Sequence, residues 1–171
     1  MLSRHANHKI KSLATLLRIV RQAKARGRTI VFTNGCFDLL HAGHVALLER
    51  AKRSGDLLVV AINSDRSVRA LKGPHRPLVA QRDRALVLAA LESVDYVTVF
   101  SQLTPERLIA RLRPQILVKR MDWGRGRIIG RELVEASRGR VLRVPQLAGR
   151  STSRLVERLG RPTRRSVTTR C

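Results

Sequence analysis

Apolar and polar positions along the chain follow two alternating periods. Five short runs are apolar at nearly every position, which is typical of parallel strands buried on both faces of a sheet. The longer segments between them space their apolar residues three and four apart, as one face of a helix requires. The predicted strands are RTIVFTNG (28–35), DLLVVAINSD (56–65), DYVTVF (95–100), QILVK (115–119) and RVLRVP (140–145).

Start and stop signals place the helices between these strands. The first predicted helix ends at Gly27, and others are predicted over 41–55, 82–94, 104–114, 128–139 and 151–160. Thr104 followed by Pro105 is a good start signal, with Thr104 as N-cap and Pro105 at the first helical position. The polar segment 66–82, which contains LKGPHRP, is predicted to be a mobile loop. The first helix presents Ile10, Leu13, Leu16, Leu17 and Val20 on one face.

Strands that alternate with helices at this spacing predict βαβ units and the α/β fold class. We expect a doubly wound parallel five-stranded sheet in a three-layer α/β/α arrangement, with ligands beyond the carboxyl ends of its strands. The expected organisation is a basic N-terminal helical extension over 1–28, a main domain over 29–160 and a disordered basic tail over 161–171.

Composition limits the class of protein. The chain has 171 residues, 43% of them hydrophobic, which suits a globular domain with a sizeable core. No apolar run reaches the roughly 18 residues needed to cross a bilayer, and the first residues of the sequence show no apolar h-region of the kind expected in a signal peptide. With only Cys36 and Cys171 a disulfide framework is not expected, so a reducing, cytoplasmic setting is the default.

The net charge of +23 is extreme and is concentrated at the two ends. Residues 1–28 hold eight Lys or Arg and no acidic residue, and residues 161–171 hold four Arg and no acidic residue. Such a field attracts polyanions, among them nucleotides, sugar phosphates and nucleic acids. A solvated basic surface with no partner explains the same charge.

The stretch TNGCFDLLHAGH (33–44) carries the candidate chemistry, because it lies where the first strand gives way to a helix. Imidazoles at His41 and His44 can converge on one anion there, Gly43 leaves room for its approach, and the helix N-terminus adds partial positive charge. Their N–H groups would stabilise charge that develops during phosphoryl transfer. Metal ligation and purely structural histidines are the alternatives, although no third metal ligand is evident.

A second candidate anion site lies near the C-terminus. Neither G-x-G-x-x-G after the first strand nor a Walker A loop is present, so phosphates must be held in another way. Hydroxyls and free backbone N–H groups at a helix start can do this, and an ordinary N-cap accounts for the same residue types. The residues are Ser151, Thr152 and Ser153.

The run GCFDLLHAGH resembles the signature of the H-x-G-H nucleotidyltransferases, the cytidylyltransferase-like family. Further segments follow in family order over about residues 10–160: NSD, LKG, a helix arginine, AALESVDYV, ILVK-x-x-DW and G-x-STS. Within the family the pattern is most similar to the D-glycero-β-D-manno-heptose 1-phosphate adenylyltransferases. The resemblance implies a Rossmann-like fold, AMP transfer from ATP to a sugar 1-phosphate, Mg²⁺ carried on the triphosphate, and a homodimer.

The resemblance also implies roles for individual residues. His41, His44 and Lys72 would be catalytic, with Lys72 closing over the phosphates, although a solvated loop lysine is the alternative. Asp38 is expected to order the turn instead. The residues expected to bind the nucleotide are Asn34, Gly35, Cys36, Phe37, Gly43, Asp122, Ser151, Thr152 and Ser153. Those expected to bind substrate are Asp65, Arg84, Lys119 and Trp123. Arg84 would reach the acceptor phosphate or the triphosphate, and Trp123 would lie near the base or the sugar. A structural contact is the alternative for Asp65, and core packing is the alternative for Trp123.

One segment departs from the pattern. The family usually has small residues after the lysine of the fourth strand, whereas this chain has Arg120 and Met121. Glycine allows a close backbone approach that these residues do not.

Two rival functions stay open. One is the same chemistry with CTP and a polyol phosphate such as glycerol 3-phosphate. The other is a non-catalytic basic protein that binds nucleic acid, which the 3% aromatic content disfavours for lack of stacking surfaces.

Overall fold

A computed structural model describes residues 4–121 and 128–145. The described chain forms five strands and seven helices. The strands are β1 (Ile30–Gly35), β2 (Leu57–Asn63), β3 (Tyr96–Phe100), β4 (Ile116–Met121) and β5 (Arg140–Pro145). The helices are α1 (Arg4–Lys9), α2 (Leu13–Ala25), α3 (Ala42–Lys52), α4 (Asp65–Lys72), α5 (Gln81–Ala90), α6 (Glu106–Leu112) and α7 (Arg131–Ala136).

All strand pairs in the sheet are parallel, in the order β3-β2-β1-β4-β5. The order reverses beside β1, because the chain winds outward from β1 to β3 and then returns to β4 on the other side. This confirms the predicted doubly wound parallel sheet. Since the strands share one direction, the segments after β1, β2 and β4 meet at the same edge of the sheet.

Helices cover both faces of the sheet, so alternate strand residues enter two separate cores. Val31, Leu58 and Val60 pack on one face with α3 and α5. Ile30, Phe32 and Val59 pack on the other face with α2, α6 and α7. This explains why β2 is buried at every position and why its sequence is an unbroken apolar run.

The N-terminal helices pack on the main domain. Leu16 of α2 is fully buried in the second core. At the end of α2, Lys24 Nζ donates to the carbonyl oxygens of Leu112 and Arg113 at the end of α6. The division of the chain at residue 28 stays a prediction, and residues 146–171 lie outside the described residues. No helix in the described ranges is long and apolar enough to cross a membrane.

The predicted mobile loop over 66–82 is wrong in its first part, because residues 65–72 form α4. Ser64 caps this helix by accepting the Ser67 N–H, and Val68 is its buried apolar anchor. The next part of the loop is fixed by hydrogen bonds between Asp38 and the backbone of Leu78. The polar composition of this segment therefore led to the prediction of a loop where a short capped helix forms.

Other helix ends also differ from the predictions. Ile10 is not helical but forms a bridge to Val97 beside the β3 edge. Helix α6 begins at Glu106 with Pro105 as its N-cap, one residue later than predicted, and the Thr104 hydroxyl bonds the Glu106 carboxylate. The predicted helix over 128–139 begins at Arg131 and ends at Ala136, and Gly130 before it has a left-handed φ of 89°. The predicted helix over 82–94 runs from Gln81 to Ala90.

Candidate active site

The chain leaves β1 through a tight turn that places an aromatic ring under the site. Phe37 has a φ of 46°, in the left-handed region that a bulky residue rarely adopts. Its ring is buried and would lie 3.2 Å from a Cβ at position 35, so Gly35 leaves the room that the ring needs. The ring centroid is 5.3 Å from that of His44. A non-glycine residue in this conformation is common where a binding site imposes the backbone shape.

The two histidines of the motif lie against each other at the start of α3. Their ring centroids are 4.0 Å apart and the planes are 30° from parallel. His41 is the N-cap, and its Nδ1 accepts the Gly43 backbone N–H at 3.1 Å. Because Nδ1 accepts, the proton of the neutral His41 ring lies on Nε2. The turn thus brings together both imidazoles and the positive end of a helix, as the spacing of the motif predicts.

His44 is held in its neutral form. Burial is the largest cause, and together with electrostatic repulsion from His41, Arg120 and Lys72 it lowers the pKa of His44 from 6.5 to about 4. Its Nδ1 is buried and makes no hydrogen bond to any residue in the described ranges. A neutral ring surrounded by cationic groups is well suited to an anion, whose charge would offset the same repulsion that keeps the proton away.

The cations near His44 come from two different parts of the fold. Lys72 is the exposed last residue of α4, and Arg120 lies near the end of β4. Beside Arg120, Lys119 Nζ donates to Asn34 Oδ1 at 2.5 Å, which joins the ends of β4 and β1. The carboxyl edge of the sheet therefore gathers positive charge from strands and helices that are far apart in sequence.

A chain of polar groups supports the turn, and apart from Cys36 the sequence analysis gave its members no role. The Cys36 thiol lies 3.9 Å from Asn63 Oδ1, a weak sulfur hydrogen bond. Asn63 Nδ2 donates to Ser67 Oγ at 2.9 Å, and Ser67 Oγ donates to the Gln102 carbonyl oxygen at 2.9 Å. An asparagine that ends an otherwise apolar strand was the available signal, since a buried amide requires partners.

Arg84 and Asp65 contact each other. The Arg84 side chain is fully buried, and its Nη2 lies 2.6 Å from Asp65 Oδ1. Its other two nitrogens donate to the carbonyl oxygens of Cys36 and Val79, at 2.5 Å and 2.9 Å. The structure thus places Arg84 under the turn rather than at an open surface.

Asp38 fixes the segment after α4 to the motif. Its Oδ1 accepts the backbone N–H groups of Leu78 and Val79, at 2.7 Å and 3.1 Å. Its Oδ2 lies 2.7 Å from Arg76 Nε, as an ion pair without the alignment of a hydrogen bond. This geometry agrees with the expectation that Asp38 orders the turn.

Five of the expected site residues cannot be placed. Asp122, Trp123, Ser151, Thr152 and Ser153 lie outside the described residues, so their expected roles stay predictions. Within 4–121 and 128–145 no group of three His, Cys, Asp or Glu side chains could hold a metal ion. The carboxylates of Asp38 and Asp65 are engaged by Arg76 and Arg84, so the described site offers donors for an anion rather than ligands for a cation.

The described site combines a parallel sheet, stacked histidines and several cations at the switch in strand order. The chain belongs to the cytidylyltransferase-like family, whose profile matches residues 32–154. The expectation of a Rossmann-like nucleotidyltransferase is thereby confirmed at the level of the family. The matched residues include the turn after β1 described above.

Curated relatives agree with this membership. The chain is 52% identical over 151 residues to the bifunctional protein HldE of Geotalea uraniireducens. The matched stretch covers 88% of this chain and 31% of the relative. It is 51% identical, over the same shares, to the bifunctional protein HldE of Geobacter sulfurreducens. The chain therefore spans about a third of the length of these relatives.

Solved structures support the fold. A lipopolysaccharide core biosynthesis protein from Thermoplasma volcanium matches with a TM-score of 0.57 and 23% identity, over 70% of this chain and 97% of that protein. A pantoate-β-alanine ligase from Francisella tularensis matches with a TM-score of 0.59 and 16% identity, over 84% and 68%. At these identities the likeness concerns architecture alone.

Proposed function

We propose that this protein transfers AMP from ATP to D-glycero-β-D-manno-heptose 1-phosphate, giving ADP-heptose and pyrophosphate. The observation that carries the proposal is the stacked pair of His41 and His44 at the start of α3, beside the charges of Lys72 and Arg120. The resemblance of the motifs, in their order along the chain, to heptose 1-phosphate adenylyltransferases supports this choice of acceptor. It agrees with the match at about 50% identity to proteins named HldE.

The reaction needs positioning and charge neutralisation more than covalent chemistry. An oxygen of the sugar phosphate attacks the α-phosphorus in line, a new P–O bond forms, and the bond from the α-phosphorus to the oxygen bridging to the β-phosphorus breaks as pyrophosphate leaves. Imidazole N–H groups of His41 and His44 donate to phosphate oxygens whose charge increases in the transition state. Lys72 neutralises the charge that develops on the departing pyrophosphate.

Mg²⁺ belongs to the substrate in this scheme. The described site presents cations and imidazoles, and its two carboxylates are paired with arginines, so the fit is to triphosphate oxygens. When bound to ATP, the ion neutralises phosphate charge and orients the triphosphate chain. The residues of this chain then hold the remaining phosphate oxygens.

A panel of nucleotides and acceptors tests the proposal. ATP, CTP, GTP and UTP are each combined with heptose 1-phosphate, glycerol 3-phosphate and glucose 1-phosphate, and pyrophosphate release is measured. The expected result is turnover with ATP and heptose 1-phosphate. We expect His44→Ala to lower kcat by about 100- to 1,000-fold. His8→Ala, which removes an exposed histidine of α1, is the matched control and should retain full activity.

Other outcomes point to the rival functions. Turnover with CTP and glycerol 3-phosphate would keep the chemistry and replace the substrates. No turnover with any pair, together with nucleic-acid affinity that falls steeply with salt and survives His44→Ala, would support the binding protein instead.

A further inference from the structure

Arg84 is buried beneath the site, and its contacts suggest a role other than binding substrate. The exposed fraction of its side chain is 0%. Nε donates to the Val79 carbonyl oxygen, Nη1 to the Cys36 carbonyl oxygen and Nη2 to the Asp65 carboxylate. A guanidinium that bonds three protein acceptors is held in one orientation.

The three acceptors belong to three different segments. Cys36 lies in the turn after β1, Asp65 is the first residue of α4, and Val79 lies in the segment that leads into α5. Two further contacts strengthen the same junction. The Gln81 amide oxygen accepts the backbone N–H of Asp65, and Asp38 accepts the backbone N–H of Val79. Arg84 therefore fixes the N-terminus of α4 to the motif turn.

The position of α4 determines the position of Lys72. The helix has eight residues, so it is about 12 Å long, and Lys72 is its last residue. Gly73 follows with a φ of 96° and ends the helix. With its first turn fixed at Asp65, α4 carries Lys72 to the point where its charge acts on His44.

We propose that Arg84 is a positioning residue, which fixes α4 through Asp65 and so sets the position of Lys72 at the end of that helix. Its effect on catalysis rests on the proposed function, in which Lys72 acts on the triphosphate. A direct contact between Arg84 and a phosphate would require the guanidinium to leave its acceptors. Such a movement would leave the partly buried Asp65 carboxylate and two carbonyl groups without their donor, at considerable cost.

The first test requires no enzymatic activity. The pKa of His44 is measured by NMR titration of its ring protons in the unliganded protein. The charged groups that face His44 are His41, Arg120 and Lys72. Lys72→Ala should raise the pKa, and Arg84→Lys should raise it by a similar amount because α4 shifts. Asp65→Asn is a milder change at the same contact and should have the same direction. A pKa that rises in Lys72→Ala but is unchanged in both other variants would overturn the proposal.

The second test is a double-mutant cycle on kcat with the productive substrate pair. Arg84→Lys and Lys72→Ala should each lower kcat by about 10- to 100-fold, since small displacements of a positioned group have effects of this size. In the Lys72→Ala protein, Arg84→Lys should lower kcat by less than about twofold more, because the group that it positions is already gone. Losses that multiply would show that Arg84 acts independently of Lys72 and would overturn the proposal.

A control separates positioning from general destabilisation. Ile109 is equally buried, but it packs on the opposite face of the sheet in the second core. Ile109→Val should lower the denaturation midpoint without changing kcat or the pKa of His44. If the substrate panel fails while the NMR result holds, the proposed function is wrong and the positioning of Lys72 by Arg84 is kept.

Discussion

At the residue scale, the site depends on a histidine that stays neutral in a protein of net charge +23. A protonated His44 would add a positive charge to a buried position next to His41, Lys72 and Arg120. The fold instead provides a neutral ring packed between Phe37 and His41. The position of its cations and the neutral ring of His44 therefore suit the site to an anion.

Triphosphate binding should raise the pKa of His44. In the free protein this pKa is about 4, and a nearby anion offsets the charges that lower it. Saturation with a non-hydrolysable ATP analogue should increase it by at least about one unit, which corresponds to about 1.4 kcal/mol of interaction. NMR titration of the His44 ring protons with and without the analogue measures the change. An unchanged or lower pKa would show that the triphosphate does not contact this ring.

The same depressed pKa affects stability in a defined pH window. Between pH 6.5 and about 4, His44 binds a proton in the unfolded chain but not in the folded protein. The free energy of unfolding therefore decreases as the pH falls through this window. Above pH 6.5 the ring is neutral in both the folded and the unfolded state, so this loss of stability is absent. His44→Asn should flatten this part of the pH profile in urea denaturation relative to the unsubstituted protein.

At the element scale, α4 shows where sequence periodicity fails. Its sequence, DRSVRALK, buries one apolar side chain, Val68, so it has no stripe of apolar positions to count. Its stability comes from the Ser64 cap and from the Asp65 contact with Arg84, which joins residues 19 apart. By contrast, β1 and β2 were predicted correctly, because a strand that is buried on both faces has a continuous run of apolar residues.

Two serine N-caps allow the function of α4 to be separated from its stability. Ser64 accepts the Ser67 N–H at the start of α4, and Ser12 accepts the Thr15 N–H at the start of α2. Replacement of either by Ala should lower the free energy of unfolding by about 1 kcal/mol, because one helix donor loses its partner. Only Ser64→Ala should also lower kcat, since α4 carries Lys72. Equal activity of the two variants would show that catalysis does not depend on the N-terminus of α4.

At the scale of the whole molecule, the sequence predicts the layers better than the site. Alternate residues of β1 and β2 point to two cores, which requires helices on both faces, so the architecture follows from the pattern. The proximity of the two histidines can also be predicted from the sequence, because they lie three positions apart at the start of a helix. The burial of Arg84 cannot be predicted in this way. Its acceptors lie 5, 19 and 48 residues away, and only the fold brings them together.

The charge of the molecule raises a question of range, namely whether basic residues at the amino ends of the strands assist a site at the opposite edge of the sheet. Arg28 lies two residues before β1 and Arg140 opens β5, and both are exposed at the amino ends of the strands. The six residues of β1 span about 20 Å, so the amino ends are far from the histidines. Screening reduces interactions beyond about 8 Å at 0.15 M salt. Distant charges should therefore contribute little under these conditions.

Charge reversal at the amino edge tests this argument against the local cations. At 0.15 M salt the double variant Arg28→Glu, Arg140→Glu, which changes the net charge by four, should alter the KM for the nucleotide by less than about twofold. Lys72→Ala, which changes it by one, should raise the KM at least about tenfold, because a charged hydrogen bond contributes about 1.5 kcal/mol or more. At 0.01 M salt the screening length grows to about 30 Å, and the double variant should then raise the KM measurably. Equal effects of the two changes at 0.15 M salt would mean that the nucleotide responds to total charge rather than to the groups around His44.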